Sequence, residues 1–208
     1  MQTHILKMLI RGEDETLDFK QTISSTSKIA KTMVAFANHK GGTLLVGIRD
    51  NKTVAGIRTE DEKYMLDLAA VFYCKPEVKI DIEEWEIEGK LVLECRIYPG
   101  NDKPYYAKDE EGNWWAYIRV NDKSLLASKI VVDVLKRQTK AHGTLIKYSS
   151  KEKALLDFLS VNERITLKQY TKMLNLSRYR ASKILVNLIS TGIIRSHAYE
   201  KTEFYTLS

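Results

Sequence analysis

The 208-residue sequence is poor in the residues from which many reactive or cross-linked sites are built. It has two cysteines, Cys74 and Cys95, and they form no CxxC pair. That excludes a disulfide framework and a cysteine-based zinc site, and predicts buried thiols in a reducing compartment. The four histidines, His4, His39, His142 and His197, are scattered, with no HExxH spacing. With three prolines and ten glycines, the chain is neither collagen-like nor a Pro/Gly-rich tract. No apolar run approaches the roughly 20 residues of a membrane span. In the first 15 residues a short apolar stretch is interrupted by Lys7 and followed by acids, so no secretory leader is expected and a cytoplasmic location is.

What the chain does have is ordinary globular composition, 44% apolar and 29% charged, with enough length for a real core. Its net charge of +6 is unevenly placed. Residues 1–146 hold 22 Lys+Arg and 22 Asp+Glu; residues 147–208 hold 11 against 5. A neutral front with a basic tail-end module is a first pointer to nucleic acid.

Hydrophobic periodicity predicts mixed elements. Residues 5–10 read as a short helix or strand. TLDFK (16–20) alternates like a strand. Residues 24–38 read as a helix capped by Ser27, stopped by Asn38-His39-Lys40-Gly41-Gly42. TLLVGI (43–48) and TVAGI (53–57) predict a hairpin, and 60–74 a helix stopped by Pro76. VKIDIEEWEI and LVLECRIYP flank a Glu88-Gly89-Lys90 turn, and two aromatic strands follow. Residues 124–137 read as a helix leading to a polar, basic linker. Strand, helix and several antiparallel hairpins argue an α+β class.

The last 60 residues read as a separate unit. Ser149-x-x-Glu152 is a capping box, Thr166 caps a short helix, and Asn175-Leu176-Ser177 turns into helix 178–191. That helix carries Ala181, Ile184, Leu185, Leu188 and Ile189 as one apolar stripe. Two short strands with a polar tip, 197–202, close the unit. Three helices followed by a hairpin is the order of a winged helix.

Four constellations could carry function. The first turn of helix 178–191 offers Arg178, Tyr179, Arg180, Ser182 and Lys183, with Lys168, Lys172 and Lys201 nearby in sequence. In a helix-turn-helix such residues contact base edges and phosphates. The alternative is a solvated face on a protein-binding winged helix. Second, Glu13, Asp18 and Asp50 could converge on a sheet edge and hold Mg²⁺ or Mn²⁺ for phosphodiester cleavage. From spacing alone the plainer reading is favoured, with Glu13 in a turn and Asp18 paired to Lys20. Third, Lys40-Gly41-Gly42 superficially resembles a phosphate loop, but its Lys precedes the glycines and the loop joins helix to strand. ATP binding is not expected there; a tight turn is. Fourth, Tyr105, Tyr106, Trp114, Trp115 and Tyr117 could stack bases, though sheet core and rim is the commoner use.

GEDETLDFKQ (12–21), IAKTMVAFANHKGGTLLVGIRDNKTVAGI (29–57), PYYAK (104–108) and YIRVNDKS (117–124) together resemble the Schlafen AlbA-like domain. The resemblance covers roughly residues 5–135. It implies an α+β fold and a nucleic-acid-related role, often with a C-terminal winged helix in bacterial members. In vertebrate members paired domains form a transfer-RNA nuclease with three acids, whose counterparts here are Glu13, Asp18 and Asp50. Asp18 stands where Glu is usual. The expected organisation is a Schlafen AlbA-like domain (1–138), a linker (139–148) and a winged helix-turn-helix (149–208). The expected function is DNA binding as a transcriptional regulator, acting as a homodimer, with DNA favoured over RNA and no membrane. The alternatives are a Mg²⁺- or Mn²⁺-dependent endoribonuclease and a non-catalytic assembly module.

Overall fold

The computed structural model describes residues 2–138, 149–199 and 202–208. Among them it contains seven helices and a mixed set of sheets, an α+β architecture. The chain divides into two compact units, Met1–Leu126 and Ala127–Ser208. The expected linker 139–148 lies outside the described residues.

The first unit opens with α1 (Gln2–Arg11) and β1 (Leu17–Lys20). Helix α2 (Thr26–Asn38) is capped by Ser25, whose hydroxyl accepts from the Lys28 N–H. Ser27, the sequence-based cap, is instead buried in the first turn. β2 (Gly42–Val46) follows across a tight turn. Gly41 has φ +78°, and a Cβ on Gly42 would lie 2.4 Å from the Phe36 ring, so this turn needs both glycines.

Then come α3 (Asp61–Phe72), the short β3 (Cys74–Lys75), and the hairpin β4 (Ile80–Ile87) and β5 (Lys90–Ile97). Glu88 and Gly89, both at positive φ, turn that hairpin. The main sheet runs β1-β2-β5-β4. β1 and β2 are parallel, and the other pairs antiparallel. Residues 53–57 do not form the returning strand the sequence suggested; only an Ile48–Val54 bridge is made. The Ala55 and Gly56 N–H groups turn back onto the Gly47 carbonyl, and β5 takes the place beside β2.

β6 (Tyr106–Lys108), β7 (Trp114–Trp115), β8 (Tyr117–Val120) and β9 (Lys123–Leu126) complete this unit. The start of the helix expected at 124 is therefore strand, because β9 pairs back on β8 from Lys123 to Leu126. One core lies between α2, α3 and the sheet, centred on Met33, Phe36, Leu44, Leu66 and Leu93. A second fills the other sheet face under α1, with Ile5, Leu17, Phe19, Leu45 and Ile48. Cys74 and Cys95 are buried, and burial pushes both thiols up to about 12, so they stay protonated and inert.

The second unit comprises α4 (Lys129–Gln138), α5 (Ser150–Val161), α6 (Leu167–Met173), α7 (Arg178–Ser190), β10 (Ile194–Ala198) and β11 (Glu203–Leu207). Ser149–Glu152 and Thr166–Gln169 both form reciprocal capping boxes. Asn175 adopts φ 48° in the α6–α7 turn, and the Ser177 side chain caps α7. Leu155, Ile165, Tyr170, Ala181, Leu185, Leu188 and Tyr205 make the core. Ile165 and Tyr205 exchange both backbone hydrogen bonds, at 3.0 and 2.8 Å, fixing the β10–β11 hairpin to the helices.

Candidate nucleic-acid interface

In the first unit the acidic opening folds back on β1. Glu13 accepts a hydrogen bond from the Phe19 N–H at 2.8 Å. Partial burial, then the neighbouring Asp18 carboxylate, raise the Glu13 carboxyl above its ordinary range. Asp18 is 5% exposed. Its Oδ1 lies 2.6 Å from Lys20 Nζ, and its Oδ2 lies 3.0 Å from Arg119 Nη1. The Arg119 side chain is fully buried. It also donates to Ser124 Oγ and to the Asp14 and Leu17 carbonyls, and its guanidinium stacks 4.6 Å from the Phe36 ring. Sequence reasoning missed Arg119. The signal was an arginine inside the otherwise apolar strand WWAYIRV, where a buried cation demands an acidic partner.

The carboxylates do not fit a divalent cation. Both Asp18 oxygens are taken by cations, and Glu13 is engaged with β1 backbone. Asp50 is exposed, beyond the end of β2 and the Gly47 bend. Among the described residues no group of three His, Cys, Asp or Glu side chains is placed to hold a metal ion. Hard divalent ions need several free oxygens converging on one point. Of the three expected ligands, Asp18 is thus held by Lys20 and Arg119, Glu13 by the Phe19 N–H, and Asp50 stands exposed.

The aromatics divide as their strands dictate. Tyr105 is buried and Tyr117 partly so. Trp114 and Trp115 stay exposed, and Lys75 and Lys108 lie 5.9 and 6.0 Å from the Trp114 ring. The acids Asp109, Glu110 and Glu111 stand in the adjoining turn, which offsets that positive charge.

The basic constellation lies in the second unit. Arg178, Tyr179, Arg180 and Lys183 are exposed on the first turns of α7, and Ser182 is half-buried. Lys168 and Lys172 are exposed on α6. Lys201 lies outside the described residues. A feature with no sequence signal is the position of α4. Val186 sits about 150° round α7 from the middle of the Ala181–Leu188 core stripe, yet it is only 3% exposed. Helix α4 covers it: Ile130 and Val134 join the same apolar cluster, and Arg137 donates to Asn187. Towards the N-terminus of α7 the two helices flank a half-open cleft of about 710 Å³, with Leu167 and Glu203 also in its wall.

The Schlafen, AlbA_2 family model matches residues 13–128. The chain belongs to the Schlafen AlbA_2 family. That match takes in Glu13, Asp18, Asp50 and Arg119 and ends before α4. No curated protein matches the chain in sequence. Among solved structures, this Schlafen AlbA_2 chain is similar to the DIP2311 protein from Corynebacterium diphtheriae, at 16% identity and TM-score 0.48. That likeness covers 69% of this chain and 32% of the other, so the chain spans about a third of that protein. A second likeness is to the N-terminal domain of a RecG-related protein from Nitrosomonas europaea, at 22% identity and TM-score 0.39. It covers 61% of this chain and 94% of that domain. Among the described residues no helix is long and apolar enough to cross a membrane.

Proposed function

We propose that this Schlafen AlbA_2 protein binds nucleic acid, and that it acts as a DNA-binding regulator whose C-terminal unit is a winged helix-turn-helix reading duplex DNA. The observation that carries this reading is the exposed cationic start of α7, where Arg178, Tyr179, Arg180 and Lys183 stand clear of the core on a capped helix. Arginine there can pair with guanine edges, while lysine and the helix N-terminus hold phosphate. Lys168 and Lys172 extend the positive surface along α6. The charge split supports the same unit, since the excess cations all fall in residues 147–208. A homodimer would match a two-fold operator.

Helix α4 sets a condition. Two packed helices lie about 8–10 Å apart and each is about 10–12 Å across. A major groove about 12 Å wide admits one of them. Full entry of α7 therefore requires α4 to swing aside.

The test is a gel shift on random-sequence duplex, single-stranded DNA and transfer RNA. Duplex binding is expected, weakening as salt rises. Arg178→Ala with Arg180→Ala should reduce it at least tenfold. Equal binding by the double variant and the wild type would remove α7 as the reader.

A further inference from the structure

The geometry points to a second ligand at the same helix: the cleft between α4 and α7 is a binding site for a small phosphorylated molecule of nucleotide size, and its occupancy holds α4 on the reading face of α7.

Size and charge carry the assignment. The cavity of about 710 Å³ lies entirely within the second unit. Small-molecule sites run from about 300 to 1,000 Å³, whereas a duplex does not enter such a space. Five cations line it: Lys129, Lys136 and Arg137 from α4, and Arg178 and Lys183 from α7. Asp133 and Glu203 are the acids on the wall. Lys129, Lys136, Arg178 and Lys183 are exposed, so cations of both helices are free to turn towards an anion between them. A phosphate placed there would bridge α4 to α7.

The lining specifies more than phosphate. The Tyr179 ring and the Ser182 hydroxyl line the same cavity. Phosphates for the cations, a flat ring for Tyr179 and a polar edge for Ser182 are the three parts of a nucleoside phosphate. The Lys40-Gly41-Gly42 loop of the first unit plays no part in this site.

Arg178, Tyr179, Ser182 and Lys183 belong both to this cavity and to the proposed duplex-reading turn. The two ligands therefore exclude each other. Bound nucleotide staples α4 across α7, and DNA requires α4 to leave. The exclusion, though not the nucleotide binding, rests on the reading of α7 as the DNA-contacting helix.

The experiment titrates the full-length chain with ATP, GTP and inorganic pyrophosphate by calorimetry, at matched ionic strength. Nucleoside triphosphates should bind, with pyrophosphate at least tenfold weaker because it lacks the base. Lys136→Glu, at an exposed position of α4, should weaken triphosphate binding at least tenfold. Tyr179→Ala should narrow the preference over pyrophosphate to less than threefold. Circular dichroism and a thermal melt check that both variants are folded. No binding at millimolar triphosphate overturns the site. So does binding that neither variant changes. A parallel gel shift reads the exclusion: saturating triphosphate should weaken duplex binding at least fivefold in wild type and leave Lys136→Glu unaffected. An unchanged shift in wild type, with triphosphate demonstrably bound, overturns the shared site. If wild type shifts no duplex at all, the DNA-reading function fails, and the nucleotide site is still judged by calorimetry.

Discussion

At the scale of single residues, Arg119 is the side chain on which the front of the molecule depends. It is buried, it ties β8 to β1 through Asp18, and it takes up two backbone carbonyls of the acidic opening. Arg119→Ala leaves Asp18 buried with only Lys20 as a partner. Losing one partner of a buried ion pair costs roughly 3–5 kcal/mol; with Lys20 retained, the lower end is expected, read as a fall in the urea midpoint. Glu13 carries the opposite liability. Its carboxyl is raised by partial burial and by Asp18. A raised carboxyl favours the folded state below its unfolded value, and this contribution is lost as pH rises through the folded value. Glu13→Gln keeps an acceptor for the Phe19 N–H and removes the charge. It should stabilise the protein at neutral pH, with the gain vanishing below about pH 4.5, the ordinary value for that side chain. Thermal melts of both proteins from pH 4 to 8 measure this; a gain that grew on acidification would contradict it.

At the scale of elements, α4 is the decisive piece. It is a short amphipathic helix whose apolar side, Ile130 and Val134, is spent on α7. A charge placed in that contact should free it. Val134→Glu is expected to tighten duplex binding at least threefold in the gel shift, because the cost of moving α4 has already been met. Weaker binding would mean that α4 belongs to the DNA surface. The capping boxes at Ser149 and Thr166 are the complementary case. They are local, written in four residues each, and visible from the chain alone. The expected hairpin at 43–57 shows why other elements were not. TVAGI has a strand's composition, but Gly47 and Gly56 both take positive φ. The backbone turns back on itself, and a distant strand, β5, wins the pairing.

At the scale of the whole molecule, charge is partitioned between an acidic first unit, with 18 Lys+Arg against 21 Asp+Glu, and a basic second one, with 15 against 6. Duplex affinity should therefore fall steeply with salt, and the slope should come from the second unit. Each phosphate contact contributes about −0.9 to the slope of log K against log salt. Arg178→Ala with Arg180→Ala should flatten the slope by about 2, while Lys75→Ala with Lys108→Ala in the first unit should leave it unchanged. Fluorescence anisotropy from 50 to 300 mM KCl separates the two outcomes. An equal loss of slope from both pairs would assign the binding surface to both units.

Sequence by itself determined what is local. The caps of α5 and α6, the two-residue turn at Glu88-Gly89, the apolar stripe of α7 and the placement of positive charge all depend on residues within a turn or two of one another. Family membership was legible for the same reason, since its blocks are contiguous strings. Only the tertiary structure decided what those strings meet. It set Asp18 against Arg119, 101 residues away, and so converted a candidate metal ligand into half of a buried ion pair. It left Asp50 exposed, beyond the end of β2. It laid α4 across the outer face of α7, forming a cationic cleft that no spacing rule could show. Pairings at such separations are settled by burial and charge neutralisation across the fold, and neither is encoded in any short window of the chain.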